Sequence, residues 1–238
     1  MHEMQQQFNI RIATKQDISF STFIVQEMET SAKARGTGIA RRSTEYIEEK
    51  ILEGKAVIAF TLDGFWAGFC YIETWSNSDY VANSGLIVAP PYRKSGLATL
   101  IKRKIFELSK QKYPEAKIFG LTTGLAVMKI NSDLGYEPVT YSELTQDEAF
   151  WAGCKSCVNY DILMAKERKN CLCTAMLYDP KDHYLPEETR EDFKKNKKIY
   201  ERLLQLKQSK FLKSLLKKDK GASNSKSILY HFFKNINL

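Results

Sequence analysis

Ser84-Gly85-Leu86-Ile87-Val88-Ala89-Pro90-Pro91-Tyr92-Arg93-Lys94-Ser95-Gly96-Leu97-Ala98-Thr99 is the stretch whose reading decides the fold. Ser84 to Val88 reads as a strand, and Pro90-Pro91 ends it, since proline cannot donate to a ladder. From Leu97 to Lys112 the pattern changes to helical spacing. Leu97, Leu100, Ile101, Ile105 and Leu108 line one face, with polar and charged residues on the rest. A strand therefore feeds a tight turn into a helix N-terminus. The first turn of such a helix presents unpaired N–H groups and the positive end of its dipole, an arrangement suited to a pyrophosphate. Gly96 lets a ligand approach the backbone, and Arg93 and Lys94 add charge. The Gly-Lys-Ser/Thr of a Walker loop is missing, and so is the triple-glycine spacing of a dinucleotide fingerprint.

Working outward, Phe8 to Ala13 reads as a strand and Thr14 to Asp17 as a helix start. Ile18 to Met28 gives a helical face, and Ser31 to Ala40 a loop. Ser43 caps a second helix that ends before Gly54. Ala56 to Leu62 and Phe65 to Trp75 are strands joined by Asp63-Gly64, a strong hairpin signal. Ser76 to Asp79 is a turn. Lys117 to Thr122 reads as a strand, Leu125 to Leu134 as a helix, and Tyr136 to Tyr141 and Val158 to Ala165 as the last strands. The order predicts an α/β fold: one mixed sheet covered by helices on both faces.

The chain has 238 residues and a formal charge of +8. Residues 181–238 hold 15 Lys/Arg and 7 Asp/Glu, so the whole excess lies there, while residues 1–180 balance. This tail reads as a Lys-rich amphipathic helix over 186–220, a small-polar linker and an apolar-basic end. A solvated helix packed on the domain or on a second subunit is the preferred reading, ahead of a membrane-surface segment. Nucleic acid is not an expected partner, because aromatics do not interleave with the charges. No apolar run is long enough for a membrane span, and the start lacks the pattern of a secretory signal. Five cysteines in a chain able to build its own core suggest a reduced, cytoplasmic setting. The domains are expected at 1–166 and at 167–238, the latter a Cys-containing connection and the basic tail.

Arg93-x-x-Gly96-x-Ala98 after a strand ending Val88-x-Pro90 resembles the acyl-CoA-binding motif of the GNAT N-acyltransferases. The element order from Phe8 to about Lys166 resembles that fold too. The resemblance implies a mostly antiparallel sheet and an acyl-CoA co-substrate, acetyl-CoA or another. It implies CoA contacts from Ile87 and Val88 on the strand and from Arg93, Lys94, Ser95, Gly96, Leu97, Ala98 and Thr99 in the turn. Arg41-Arg42-Ser43, Pro91-Tyr92-Arg93, Leu121-Thr122-Thr123 and Gly135-Tyr136-x-Pro138-Val139 occur in the order seen in the acetyltransferase domain of N-acetylglutamate synthases. That similarity covers residues 8–166 and leaves out the amino-acid-kinase domain many of them carry.

It implies a glutamate-like acceptor in arginine biosynthesis, with Arg41 or Arg42 as carboxylate anchor, because arginine pairs bidentately with carboxylates. Where those synthases carry a second arginine and a serine, this chain has Gly124 and Ala126, so the acceptor stays open and Lys129 is a substitute anchor. Many GNAT enzymes place a glutamate where Ala82 and Asn83 stand here, and a tyrosine near Asn131. Glu73, on the neighbouring strand, is then the carboxylate assigned as catalytic base. The donor is acetyl or succinyl, and a homodimer is possible within the resemblance. Acylation of a protein or another amine, and a non-catalytic CoA-sensing module, are the alternatives.

Cys154-x-x-Cys157 and Cys171-x-Cys173 have the look of four zinc thiolates. A continuous strand over Val158 to Ala165 would, however, run ~26 Å at ~3.3 Å per residue, and the few residues after it could hardly bring the chain back. No metal ligand is assigned on this ground, and buried or redox-active thiols are preferred.

Overall fold

The structure is a computed structural model that describes residues 7–36 and 41–182. The basic tail, and the reading placed on it, lie outside the described residues. Strands β1 (Phe8–Ile12), β2 (Ala56–Thr61), β3 (Trp66–Trp75), β4 (Tyr80–Val88), β5 (Lys117–Thr122), β6 (Glu137–Val139) and β7 (Thr174–Tyr178) form one sheet. Its order is β1-β2-β3-β4-β5-β7-β6. Every neighbouring pair is antiparallel except β4 and β5. That parallel pair is joined through a helix, as a parallel connection requires.

Helices α1 (Ser21–Arg35), α2 (Thr44–Leu52), α3 (Leu97–Lys112), α4 (Leu125–Asp133), α5 (Glu148–Ala152) and α6 (Tyr160–Ala165) complete the fold. Their ends follow local chemistry. Ser43 Oγ accepts from Tyr46 N at the start of α2 (3.2 Å). Gly36, at φ +60°, ends α1 in the left-handed cap that glycine adopts without strain. The Asp63-Gly64 turn closes with Thr61 N donating to Phe65 O (2.8 Å).

Period-2 alternation in β3 divides the core. Ala67, Cys70 and Ile72 join Leu97, Ile101 and Ile105 of α3 on one face of the sheet. Phe69 and Tyr71 join Ile24 and Met28 of α1 and Ile47 and Ile51 of α2 on the other. Each fully buried Leu or Ile here stabilises by roughly 1.5–3 kcal/mol. A third cluster, built on Phe119, Trp151 and Leu163, fills the β5–β7 end.

Two expectations fail at that end. Val158 to Ala165 is not a strand: residues 160–165 form α6, which buries Leu163 in the third cluster. A six-residue apolar run carries too little periodicity to separate a short helix from a strand. The sheet instead takes β7 from residues 174–178, beyond the boundary expected at 166. β7 lies between β5 and β6 and buries three consecutive residues, Ala175 to Leu177, so it shows no alternation.

Candidate active site

β4 and β5 pair only at Tyr80↔Lys117, Val81↔Ile118 and Ala82↔Phe119. Beyond Ala82 the strands part, and Gly120 to Thr122 of β5 pair with β7 alone. The other edge of β4 stays on β3 as far as Val88. Ala89 N donates to Ala67 O (2.9 Å), so in the antiparallel ladder the N–H and C=O of Val88 face away from β3, toward the side β5 has left. Ile87, at the neighbouring position, buries its side chain among Phe69 and Tyr71.

The divergence begins beside a bulge. The β3–β4 register shifts between Phe69 and Tyr71. Gly85 sits opposite that shift at φ +63°, and a Cβ there would stand 2.2 Å from Tyr71 Cε1. Only glycine fits this backbone against this ring. The sequence reading did not single it out, although a glycine inside a strand pattern is itself a bulge signal.

The turn after β4 holds Lys94 at φ +65° and Gly96 at φ +83°. Ser95 Oγ donates to Tyr92 O (2.6 Å) and accepts from Leu97 N (3.4 Å). The Leu97 side chain belongs to the core, so only its backbone borders the turn. Lys94 is exposed, and Ala98 and Thr99 are half-buried in the first turn of α3. Arg93 makes three contacts within the fold. Its Nε donates to Val88 O (3.1 Å), and its Nη2 reaches Glu27 Oε1 (3.1 Å) and Ser31 Oγ (2.6 Å) on α1. The side chain clamps the turn onto α1.

On the α2 face, Glu73 lies opposite Ala82 in the β3–β4 register, at the last β4 residue paired with β5. Its Oε1 accepts from Arg42 Nη2 (3.0 Å) and from Tyr46 OH (2.5 Å). Arg42 Nε donates to Tyr71 OH (2.8 Å) and its Nη1 to Arg41 O (3.2 Å). Burial, with the Glu73 charge nearby, pushes both the Tyr46 and Tyr71 hydroxyls well above the ordinary range. Arg42 would lose basicity by burial, but Tyr71 and Glu73 outweigh that and hold it charged. The predicted base and one of the two predicted anchors are thus a single ion pair.

Arg41 remains exposed, while its N–H donates to Ser156 Oγ (3.1 Å). Lys129 points elsewhere, paired with Asp133 at 3.3 Å in solvent. On the opposite face of the sheet, Lys102 of α3 is buried despite its charge, with Nζ 3.4 Å from Asn83 O. Burial lowers its pKa, partly opposed by the nearby Cys70. The helical pattern placed it on the polar side, because a sheet that covers α3 broadly is not visible in a one-dimensional repeat.

No family model matches this chain, and no curated protein matches it. Solved structures do. N-acetylglutamate synthase from Neisseria gonorrhoeae, complexed with coenzyme A and N-acetyl-glutamate, superposes with a TM-score of 0.51 at 17% identity over 72% of this chain. This chain spans 35% of the length of that synthase. Rv2747 from Mycobacterium tuberculosis, in complex with CoA and NLQ, gives 0.52 at 18% identity over 72% of this chain and 98% of that one. The chain has the GNAT fold. The strand–turn–helix through Arg93–Gly96 is the part of that fold expected from the sequence, and the parting of β4 from β5 is seen in the structure. Among the described residues no helix is long and apolar enough to cross a membrane.

Proposed function

We propose that this chain transfers an acyl group from a CoA thioester to the amine of a small amino acid, glutamate or a close relative. The observation that carries the proposal is the divergence of β4 from β5 immediately beyond Ala82, with Glu73 at its mouth and the helix N-terminus at its end. Parted strands leave backbone groups without ladder partners, Val88 O excepted since it accepts from Arg93 Nε, and a pantetheine amide chain is a ligand that satisfies them. The turn from Arg93 to Gly96 and the first turn of α3 offer N–H groups to the pyrophosphate. Both solved structures reported above hold CoA, one with N-acetyl-glutamate, which supports the same donor and acceptor class here.

In this mechanism the amine enters on the α2 face. Glu73 takes the ammonium proton, directly or through water, while Arg42 and Tyr46 hold its Oε1 in place. The amine attacks the thioester carbonyl, and the N–H of Val88 faces the side where the oxyanion forms. The tetrahedral intermediate collapses with loss of the CoA thiolate, which takes a proton from solvent. Because Arg42 already serves Glu73, the acceptor's carboxylate falls to the exposed Arg41. Acetyl and succinyl donors fit this chemistry equally.

The test is thiol release from acetyl-CoA and, separately, succinyl-CoA across a panel of the amino acids and ornithine. Glutamate-dependent release identifies an acylglutamate synthase. Release with another amine keeps the acyl transfer and replaces the acceptor. Absence of both turnover and CoA-induced thermal stabilisation overturns the proposal.

A further inference from the structure

Because residues 160–165 form a helix, the chain does return after Cys157. Arg168 N donates to Leu163 O (2.9 Å), and Glu167 and Arg168 take left-handed backbone angles (φ +51° and +61°) that reverse its direction. Cys154, Cys157, Cys171 and Cys173 consequently line one cavity of about 30 Å³ together with Tyr141 and Leu163. That space holds a water or two, or a single ion, and no organic ligand. All four thiols are free. We propose that these four cysteines form a zinc site, Cys154-x-x-Cys157 supplying one half and Cys171-x-Cys173 the other.

Local contacts hold the four cysteines around the cavity. Cys157 N donates to Cys154 O (2.9 Å), closing the turn that puts the first two sulfurs on one side. Asn159 N approaches Cys157 Sγ (3.5 Å), a donor placed to stabilise a sulfur anion. Cys171 Sγ lies 3.7 Å from Asn159 O, so the second pair packs on the same short segment. The Tyr141 hydroxyl donates to Cys173 O (2.8 Å) and holds the second half from behind.

As the structure stands, no group of three or more His, Cys, Asp or Glu among the described residues is arranged to hold a metal ion. The sulfurs line the cavity without closing on a point. Binding must therefore draw them to ~2.3 Å from zinc, releasing the thiol protons, and coordination and local ordering proceed together in such sites. The segment has reason to need this. Between Gly153 and Thr174 it holds only short helical turns and α6, with few buried side chains. It also carries Ser156, which accepts the Arg41 N–H, so the metal would brace the wall on which Arg41 stands.

The full-length protein, expressed in zinc-supplemented medium and purified under reducing conditions without chelator, is analysed for metals by mass spectrometry. About one zinc per chain is expected, lost in each of Cys154→Ser, Cys157→Ser, Cys171→Ser and Cys173→Ser and kept in Cys70→Ser. If the variants do not fold, the wild-type metal content decides, together with a fall in Tm on chelation that zinc alone restores. Three results overturn the proposal. One is well under one zinc per chain even after reconstitution, another is stoichiometric iron in place of zinc, and the third is two disulfides in protein that zinc no longer binds. This test does not involve CoA or any amine, so its failure and that of the acyl-transfer proposal are independent.

Discussion

Arg42 and Glu73, 31 residues apart, meet at 3.0 Å on the α2 face of the sheet, with side chains 19% and 7% exposed. Removing one partner leaves the other as an uncompensated charge in a poorly solvated place. Arg42→Ala should cost about 3 kcal/mol or more in urea unfolding. Arg42→Ala with Glu73→Ala should be less destabilised than the two single losses combined, and simple additivity would show that the pair is not coupled. Under the proposed function, Glu73→Gln lowers kcat far more than it raises the amine KM.

Gly85 is the position least able to take a side chain. Gly85→Ala puts a Cβ into the Tyr71 ring at a left-handed backbone angle. A loss of about 2 kcal/mol or more is expected from the urea midpoint. Because Tyr71 holds Arg42 through its hydroxyl, turnover under the proposed function should fall with it. An unperturbed midpoint would mean that the β4 bulge is not needed.

Asp17 ties the start of the domain together. It accepts Arg11 Nη1 and Nη2 at 2.7 and 2.8 Å and Thr14 N at 2.7 Å. The Arg11 guanidinium, then the Thr14 donors, hold its carboxyl below the ordinary range against the opposing effect of burial. Its folded pKa lies beneath an unfolded value near ~3.9, so its contribution is complete above about pH 4 and is lost as pH falls through the folded value. Asp17→Asn should therefore lower Tm at pH 6 and differ less from wild type at pH 2.5. A constant gap would place the acid sensitivity elsewhere.

Cys70 should be silent toward alkylation. Burial pushes its thiol up to about 11, and its Sγ lies 3.2 Å from Ser84 O within the ladder. With iodoacetamide at pH 8, mass mapping of native protein should find Cys70 unmodified until denaturant is added. Rapid native labelling would contradict the close packing of α3 on β3.

Leu97–Lys112 and Lys117–Thr122 are found with the bounds the residue pattern predicts. A sixteen-residue amphipathic repeat and a strand bounded by turn signals carry their own evidence. The strand, the turn at Arg93–Gly96 and the helix after it were legible for the same reason. Val158 to Ala165 was expected as a strand and no strand was expected at 174–178, because short segments take their conformation from what they pack against, here Phe119 and Trp151. Nothing near Arg93 in the chain reveals its partner Glu27, 66 residues away. The burial of Lys102 is not visible in the helical repeat, which shows which side is apolar and not how widely that side is covered.

Local pattern thus carried the strand, the turn, the helix after them and most of the elements before them. These depend on interactions a few residues long, whose cost in chain entropy is small and whose signature is written in adjacent side chains. Where β4 leaves β5, which charge Arg42 satisfies, and the meeting of four cysteines around one cavity were decided only by the tertiary structure. Each brings together residues whose separation in the chain is closed by the packing of the whole sheet, and no neighbouring residue records that closure.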